Sequence, residues 1–221
     1  VFQSGQQDLI GPVTTCANIA YLSLLSQGYT KECIQYLSPQ DLDVDENGLL
    51  DDMDAPATID TLASAITDWA SDASELLVCL IGPGQEHIFH INPDETVNAA
   101  TLDGWLDTAQ SHIPGKVILV YDAGSSGSFL PGMSAENRIV ITSTAANQSA
   151  CFTHNGALAF SYQFWASIFL NANLYDAYVS AKHMMVKAAA DNTPIQSPIL
   201  DANGDGNQTK DDITIAHDII I

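Results

Sequence analysis

Two patterns of apolar residues alternate along this chain: spaced runs and continuous runs. Runs with an apolar residue every three or four positions predict amphipathic helices, which we expect at residues 14–27, 58–70, 98–110, 157–171 and Leu174–Ala189. Continuous apolar runs predict buried strands, which we expect at residues 33–37, Leu76–Ile81, 87–91, 117–121 and 139–142. Buried strands separated by helices indicate a mostly parallel sheet with helices on both faces, so the predicted fold class is α/β.

The loops that follow two of these strands are the expected place for chemistry. Ligands of parallel sheets bind beyond the carboxyl ends of the strands. After Ile81 the chain reads GPG, and after Tyr121 it reads DAGSSG. We find no internal repeat apart from two Asp-rich loops and no low-complexity linker, so residues 1–221 are expected to form one domain.

The composition is that of a folded but strongly acidic protein. Hydrophobic residues make up 46% of the chain and charged residues 15%, which allows a sizeable core. With 27 Asp and Glu against 6 Lys and Arg, the formal net charge is −21. A surface of this sign repels phosphate backbones and anionic headgroups, so we expect no nucleic-acid binding. It attracts cations, although a salty or extracellular habitat is also enough to account for it.

The start of the chain and its cysteines bear on its origin. The sequence begins at Val1, has no basic-then-apolar export signal, and has no apolar run of the roughly 18 residues that membrane insertion needs. We therefore expect an excerpt from a longer exported protein, extracellular or on a bacterial cell surface, that begins within or after the first strand of its domain.

The four cysteines form no CxxC pair. The sequence does not decide whether Cys16 and Cys33 form a disulfide.

Two Asp-rich loops have the spacing of EF-hand calcium loops. Residues 43–54 read DVDENGLLDDMD and residues 201–212 read DANGDGNQTKDD, each with Gly at the sixth position. Ca²⁺ takes about six to eight oxygen ligands, on which alternate side chains of such a loop converge. The predicted ligands, of which Leu49 and Asn207 act through backbone carbonyls, are Asp43, Asp45, Asn47, Leu49, Asp51 and Asp54 in the first loop and Asp201, Asn203, Asp205, Asn207, Thr209 and Asp212 in the second.

The last position of each loop indicates the kind of site. It is Asp in both loops, whereas sensor EF-hands carry a bidentate Glu there. In this the loops are similar to the calcium loops of bacterial extracellular modules, so we expect two structural Ca²⁺ ions rather than a switch. The alternative is a pair of solvated Asp/Asn/Gly turns, and Asp41 offers a second register for the first loop.

Three segments in which a predicted strand is followed by a loop read LLVCLIGPGQEHIFHINPDETVNAATLDGWLDTAQ, VILVYDAGSSGSFLPG and RIVITSTAANQSACF. Together they resemble the caspase-like cysteine peptidases, most closely their legumain-like bacterial branch. In that family the corresponding strands end in Gly-His-Gly, in Asp-Ala-Cys-x-Ser-Gly, and in an Ile-Thr-Ser or Ala-Thr-Thr segment. The likeness extends from TCANIAYLSLLSQGY to SPILDANGDG, and it implies a caspase-like three-layer sandwich.

The chain departs from this family at both catalytic positions. The histidine of the family corresponds to Pro83, and the cysteine corresponds to Gly124. Gly84 keeps the backbone N–H that helps to bind the oxyanion in the family, but a cleft without nucleophile and base is expected to be catalytically silent. Ser125 and Ser126, which follow the missing cysteine, complete what the resemblance implies is a vestigial cleft.

Three functions remain open at this stage. The first is a calcium-stabilised, inactive caspase/legumain-like domain that serves binding or assembly, with other domains of a longer parent chain or identical subunits as partners. The second is an active hydrolase in which Ser125 or Ser126 is a displaced nucleophile and His87 or His90 its base. The third is a structural module of a cell-surface layer or filament.

Overall fold

A mainly parallel sheet forms the centre of the computed structural model, which describes residues 1–5, 9–189 and 195–221. The strands in chain order are β1 (Phe2–Gln3), β2 (Leu37–Ser38), β3 (Ala55–Pro56), β4 (Leu76–Ile81), β5 (Gly84–Gln85), β6 (Ile88–His90), β7 (Thr96–Asn98), β8 (Val117–Asp122), β9 (Arg138–Thr142) and β10 (Ile199–Asp201). The seven-stranded sheet has the order β10-β9-β8-β4-β1-β2-β3, with β10 antiparallel to β9. Strands β5, β6 and β7 form a small antiparallel sheet of their own.

Helices cover both faces of the main sheet. They are α1 (Ile10–Ser26), α2 (Ile59–Thr67), α3 (Ala99–Gln110), α4 (Leu130–Met133), α5 (Phe160–Phe169), α6 (Leu174–Ala189) and α7 (Lys210–His217). Alternate residues of β8 face a core formed with α1, α5 and α6 and a second core formed with α2 and α3. The predicted α/β fold with a helical layer on each face is therefore confirmed. In the described part of the chain, no helix combines the length and apolarity needed to cross a membrane.

The register of the two central strands brings the predicted functional loops together. Strands β4 and β8 pair over their whole length, from Leu76 opposite Val117 to Ile81 opposite Asp122. Because parallel strands that start level also end level, the chain leaves both strands at the same edge of the sheet. The loops after β4 and β8 therefore lie next to each other there.

Three predicted elements differ in the structure. Residues 33–37 are not a strand: Lys31–Cys33 is a 3-10 turn, and only Leu37–Ser38 pairs with the two-residue strand β1. The predicted strand at 87–91 forms as β6, but in the small antiparallel sheet. The helix predicted from residue 157 begins at Phe160, because turns with His154 and Asn155 at positive φ precede it.

The disulfide left open between Cys16 and Cys33 is not formed. Cys16 is buried on α1, where its Sγ lies 3.6 Å from the carbonyl oxygen of Gly156, whereas Cys33 is exposed. Both thiols are free, as is the buried thiol of Cys79. Desolvation raises the pKa of Cys79 to about 12, so it packs as a neutral apolar side chain.

Candidate functional site

A cleft of about 400 Å³ lies beyond the carboxyl ends of β4 and β8. It is formed by the loop after β4, the loop after β8 and the segment that follows β9. The residues that line it are Leu9, Pro83, Gly84, Glu86, Gly124, Ser125, Ala146, Asn147, Gln148, Ser149, Ala150 and Phe152. Of the five residues predicted for a vestigial cleft, Pro83, Gly84, Gly124 and Ser125 are therefore brought together here.

The backbones of Gly84 and Gly124 approach each other at the bottom of this cleft. A β-carbon on Gly124 would lie 2.9 Å from the carbonyl oxygen of Gly84, and one on Gly84 would lie 2.6 Å from the carbonyl oxygen of Gly124. Real β-carbons do not come this close to backbone oxygens. The close approach therefore favours glycine at both positions, and a side chain at residue 124 would require one of the two loops to shift.

The two serines of the β8 loop have different surroundings. Ser125 adopts a left-handed conformation with φ 57°, and its N–H donates to the carbonyl oxygen of Gln148 at 2.7 Å. Ser126 is fully buried, and its N–H donates to Oγ1 of Thr144 at 2.9 Å while its Oγ lies 3.0 Å from the same atom. Ser126 thus anchors the loop to the segment after β9, and Ser125 is the one of the pair that faces the cleft.

Of the two histidines proposed as bases, His87 lies in the turn between β5 and β6 and His90 ends β6. The N–H of His87 donates to Oγ of Ser128 at 2.8 Å, and Nε2 of His90 lies 3.0 Å from Nε2 of Gln85. Neither histidine is among the described residues that line the cleft. Among the described residues, no hydrogen bond joins Ser125 or Ser126 to either histidine.

A buried carboxyl group lies at the end of β8, next to the cleft. Asp122, the last residue of β8, is fully buried, and its Oδ2 accepts hydrogen bonds from Oγ and from the N–H of Ser161, the latter at 2.8 Å. Desolvation raises the pKa of this carboxyl group, and the hydrogen bonds from Ser161 and Ser143 offset only part of that effect. The contact fixes the start of α5 to the end of β8, two residues before Gly124.

We expect Asp122→Asn to stabilise the protein at neutral pH. Because the pKa of Asp122 is higher in the folded than in the unfolded chain, its contribution to stability is lost as pH rises from the unfolded value through the folded value. Asn keeps an oxygen for Ser161 without the buried charge. Urea unfolding should show a gain of about 1 kcal/mol at pH 7 that shrinks toward pH 4. A loss of stability at pH 7 would contradict this account.

The second Asp-rich loop folds around two buried carboxylates. Asp201 accepts hydrogen bonds from the N–H groups of Gly204 and Gly206, each at 2.9 Å. Asp212 accepts from the N–H groups of Ala202 at 2.7 Å and Asn203 at 3.0 Å. It also forms a capping box with Thr209 at the start of α7, which explains why an acid stands at this position.

Hydrogen bonds from the amide nitrogen of Asn203 connect the remaining predicted side-chain ligands of this loop. Nδ2 of Asn203 lies 3.1 Å from Oδ2 of Asp205 and 3.4 Å from Oγ1 of Thr209. The N–H of Asn207 donates to Oδ1 of Asp205 at 2.8 Å, which places the loop in a tight turn after Gly206 at φ 79°. The donor set of carboxylate, amide and hydroxyl oxygens is one that suits Ca²⁺.

The first Asp-rich loop starts in the same way. Asp43 accepts hydrogen bonds from the N–H groups of Asn47 and Gly48, each at 3.0 Å. Asn47 in turn accepts from the N–H of Leu49 at 2.8 Å, as Asp205 does from Asn207 in the second loop. The predicted register, with Asp43 first and Gly48 sixth, therefore matches the geometry of the second loop up to this point.

The first loop closes on a different acid from the one predicted. The carboxylates of Asp43, Asp45 and Asp52 lie within 4.8 Å of one another. Asp52 takes the place of the twelfth residue, because its Oδ2 accepts from the N–H groups of Val44 at 2.6 Å and Asp45 at 3.1 Å. The predicted ligand Asp54 lies outside this group, since its Oδ2 accepts from the N–H of Tyr36 at 2.7 Å.

A lysine ammonium already occupies part of the first loop. Nζ of Lys31 lies 2.7 Å from Asp52, 3.0 Å from Asp45 and 3.6 Å from the exposed Asp51. Burial alone would raise the pKa of Asp52, but the hydrogen bonds from Lys31 and from backbone N–H groups outweigh it, so the pKa is lowered. Neither Lys31 nor Asp52 was found from the sequence, because the motif gives no information on a residue outside the loop or on a shortened loop.

The fold is similar to that of a solved caspase structure. The crystal structure of caspase-1 from Spodoptera frugiperda superimposes with a TM-score of 0.62 over 95% of this chain and 88% of the caspase chain, at 10% sequence identity. At this identity the likeness is one of fold. No protein-family model and no curated protein matches the sequence. The chain thus has a caspase-like α/β fold with a cleft at the carboxyl edge of its sheet.

Proposed function

We propose that this chain is a catalytically inactive caspase/legumain-like domain of the bacterial branch, whose cleft serves binding or assembly. The close approach of Gly84 and Gly124 supports this most strongly. The resemblance to the family places the nucleophile at Gly124, where a side chain would collide with the facing backbone. A cleft closed in this way at its bottom still offers about 400 Å³ above it for a ligand.

The chemistry of the cleft favours binding over hydrolysis. A serine nucleophile needs a base within about 3 Å that takes its proton. Ser125 is in the cleft, but among the described lining residues the ionisable side chain is Glu86, and Pro83 stands where the resemblance places the base. The displaced-serine hydrolase therefore remains the second candidate, with no histidine among the described lining residues to act as its base.

Calcium is proposed to stabilise this domain at two structural sites. The second loop offers Asp201, Asn203, Asp205, Thr209 and Asp212 together with the carbonyl oxygen of Asn207, of which Asp201 and Asp212 are fully buried. The first loop offers Asp43, Asp45, Asn47 and Asp52 together with the carbonyl oxygen of Leu49. There Ca²⁺ has to compete with the Lys31 ammonium, so the first site is the weaker of the two.

The setting proposed for this domain follows from its charge. A chain at −21 with cation-binding loops suits an exported, cell-surface or extracellular protein in which calcium is plentiful. Its partners would be other domains of a longer parent chain or identical subunits, rather than nucleic acid or a membrane. A purely architectural role in a surface layer or filament fits the same features and differs only in having no specific ligand.

The proposed loss of activity has a direct test. The calcium-loaded chain should not release reporter groups from Asn-, Asp-, Arg- or Lys-linked peptides above the buffer rate. Ser125→Ala should leave this background unchanged, and so should Ser111→Ala, an exposed serine outside the cleft. Hydrolysis by the unmodified chain that Ser125→Ala abolishes and Ser111→Ala preserves would decide for the displaced nucleophile instead.

A further inference from the structure

Helix α6 carries two of the few basic residues of this acidic chain. Of the six Lys and Arg, Lys31 and Arg138 form ion pairs with aspartates. Lys182 and Lys187 of α6 form no ion pair with any residue in the described part of the chain. After Asp176, α6 has no acidic residue. The second half of this helix is therefore a basic strip on an otherwise acidic protein.

An exposed apolar side chain lies within this basic strip. Val186 is 62% exposed, and His183 and Lys187 are exposed as well. Residues three and four positions apart on a helix share a face, so these three side chains point the same way. Lys182 is half-buried beside them, and its Nζ donates to the hydroxyl of Tyr178 at 3.0 Å. We call Lys182, His183, Val186 and Lys187 the α6 face.

The first Asp-rich loop carries the opposite combination of charge and apolar surface. Leu49 and Leu50 are adjacent and are 59% and 68% exposed. Asp41, Glu46 and Asp51 are exposed acids of the same loop. The ligands proposed for Ca²⁺ in this loop include none of these three carboxylates, so the loop keeps its negative charge when calcium is bound. We call these two leucines and three acids the acidic tip.

The α6 face and the acidic tip lie at opposite edges of the main sheet. The loop of the acidic tip joins β2 to β3, the two strands at one edge. The hydroxyl of Tyr178 on α6 donates to the carbonyl oxygen of Pro198 at 2.8 Å, next to β10 at the other edge. Helix α5 packs between α1 and α6 on this side of the sheet. The two surfaces therefore cannot meet within one molecule.

We propose that the acidic tip of one molecule docks on the α6 face of a second copy of this chain, so that molecules associate head to tail. This inference rests on the assembly role proposed above and names its partner. Leu49 and Leu50 pack against Val186, while the acids of the tip face the cations of α6. Because the contact joins two different surfaces, each bound molecule leaves one of each free, and a row can grow at both ends.

Ionic strength should affect this association in two opposite ways. The formal charge of −21 makes two chains repel each other over long distances, whereas the contact attracts over a few ångströms. The screening length is about 30 Å at 0.01 M salt, 8 Å at 0.15 M and 3 Å at 1 M. Association should therefore be strongest near 0.15 M and weaker at both extremes. A steady increase up to 1 M salt would show apolar aggregation and would contradict the proposal.

Two variants that each lack one surface test the contact by sedimentation equilibrium with Ca²⁺ present. Lys187→Glu with Val186→Ser removes the α6 face, and Glu46→Lys with Leu50→Ser removes the acidic tip; all four positions are exposed. Each variant alone should associate at least about tenfold more weakly than the unmodified chain. An equimolar mixture should form a complex of two chains and nothing larger, because it joins the intact tip of one variant to the intact α6 face of the other.

The same experiment identifies other modes of association. If the variant without the acidic tip forms dimers by itself, the α6 face pairs with its own copy and the proposal is wrong. A mixture that stays monomeric also overturns it. Leu170→Ser is the control, since Leu170 is 76% exposed at the end of α5 and belongs to neither surface. It should associate as the unmodified chain does, and equal weakening would place the contact elsewhere.

Cleavage of the reporter peptides, measured on the same samples, separates this inference from the proposed loss of activity. A chain that neither associates nor cleaves would overturn the head-to-tail contact and leave the inactive cleft in place. A chain that associates as expected but cleaves the peptides would overturn the proposed inactivity and support the contact.

Discussion

Calcium is expected to raise the thermal midpoint of this chain and a chelator to lower it. An ion that binds only the folded state stabilises it by RT ln(1 + [L]/Kd), about 2.7 kcal/mol at a hundredfold excess over Kd for each site. The effect should be large here because Asp201 and Asp212 are fully buried and the chain carries a formal charge of −21. Differential scanning calorimetry with Ca²⁺, Mg²⁺ or EDTA measures it, and Mg²⁺ should give a smaller shift.

Single substitutions assign this shift to the two loops. Asp205→Ala should remove most of it, because Asp205 belongs to the loop without a competing ammonium. Asp45→Ala should remove less, since Lys31 lies 3.0 Å from the Asp45 carboxylate. Lys31→Met should lower stability in EDTA, where Asp52 loses its partner, and should increase the calcium-dependent gain of the first loop. Melting curves that coincide in calcium and EDTA would contradict both sites.

The fold was predictable where a local pattern decides the structure. Strands β4 and β8 are continuous apolar runs, and α2 has helical spacing with a Thr58 cap at its start, so these elements were found with nearly correct ends. The strand predicted at 33–37 was wrong because Leu37 is the one residue of that run that pairs with β1. Pairing across the sheet decides such a case, and spacing along the chain does not show it.

The candidate site was predictable in its location but not in its detail. Ligands of parallel sheets bind beyond the carboxyl ends of the strands, which predicted a site at the loops of Gly84 and Gly124. Both residues line one cleft there. The sequence did not show that their backbones touch, which depends on how two loops distant in sequence pack. The same reason explains why Asp52 and Lys31 were missed: their contacts join residues from separate parts of the chain.

A side chain placed at residue 124 is expected to strain the backbone at the bottom of the cleft. Gly124→Ala should destabilise the chain by about 1–3 kcal/mol, because the new β-carbon would lie 2.9 Å from the carbonyl oxygen of Gly84. Ser125→Ala is the matched control. Serine and alanine both carry a β-carbon, so the φ of 57° at residue 125 is equally unfavourable before and after this substitution. Urea unfolding of the two variants measures the difference, and equal stabilities would show that the loops separate at little cost.

The close approach of Gly84 and Gly124 also determines the expected activity of a variant that carries the histidine and cysteine of the family. Pro83→His together with Gly124→Cys would supply a base and a thiol at the positions that the family resemblance indicates. The thiol has no space while the Gly84 carbonyl stays in place, so the double variant should show no cleavage of the reporter peptides and a lower thermal midpoint. Cleavage by the double variant, with each single variant silent, would instead show that the loops open and that the cleft has kept a working peptidase geometry.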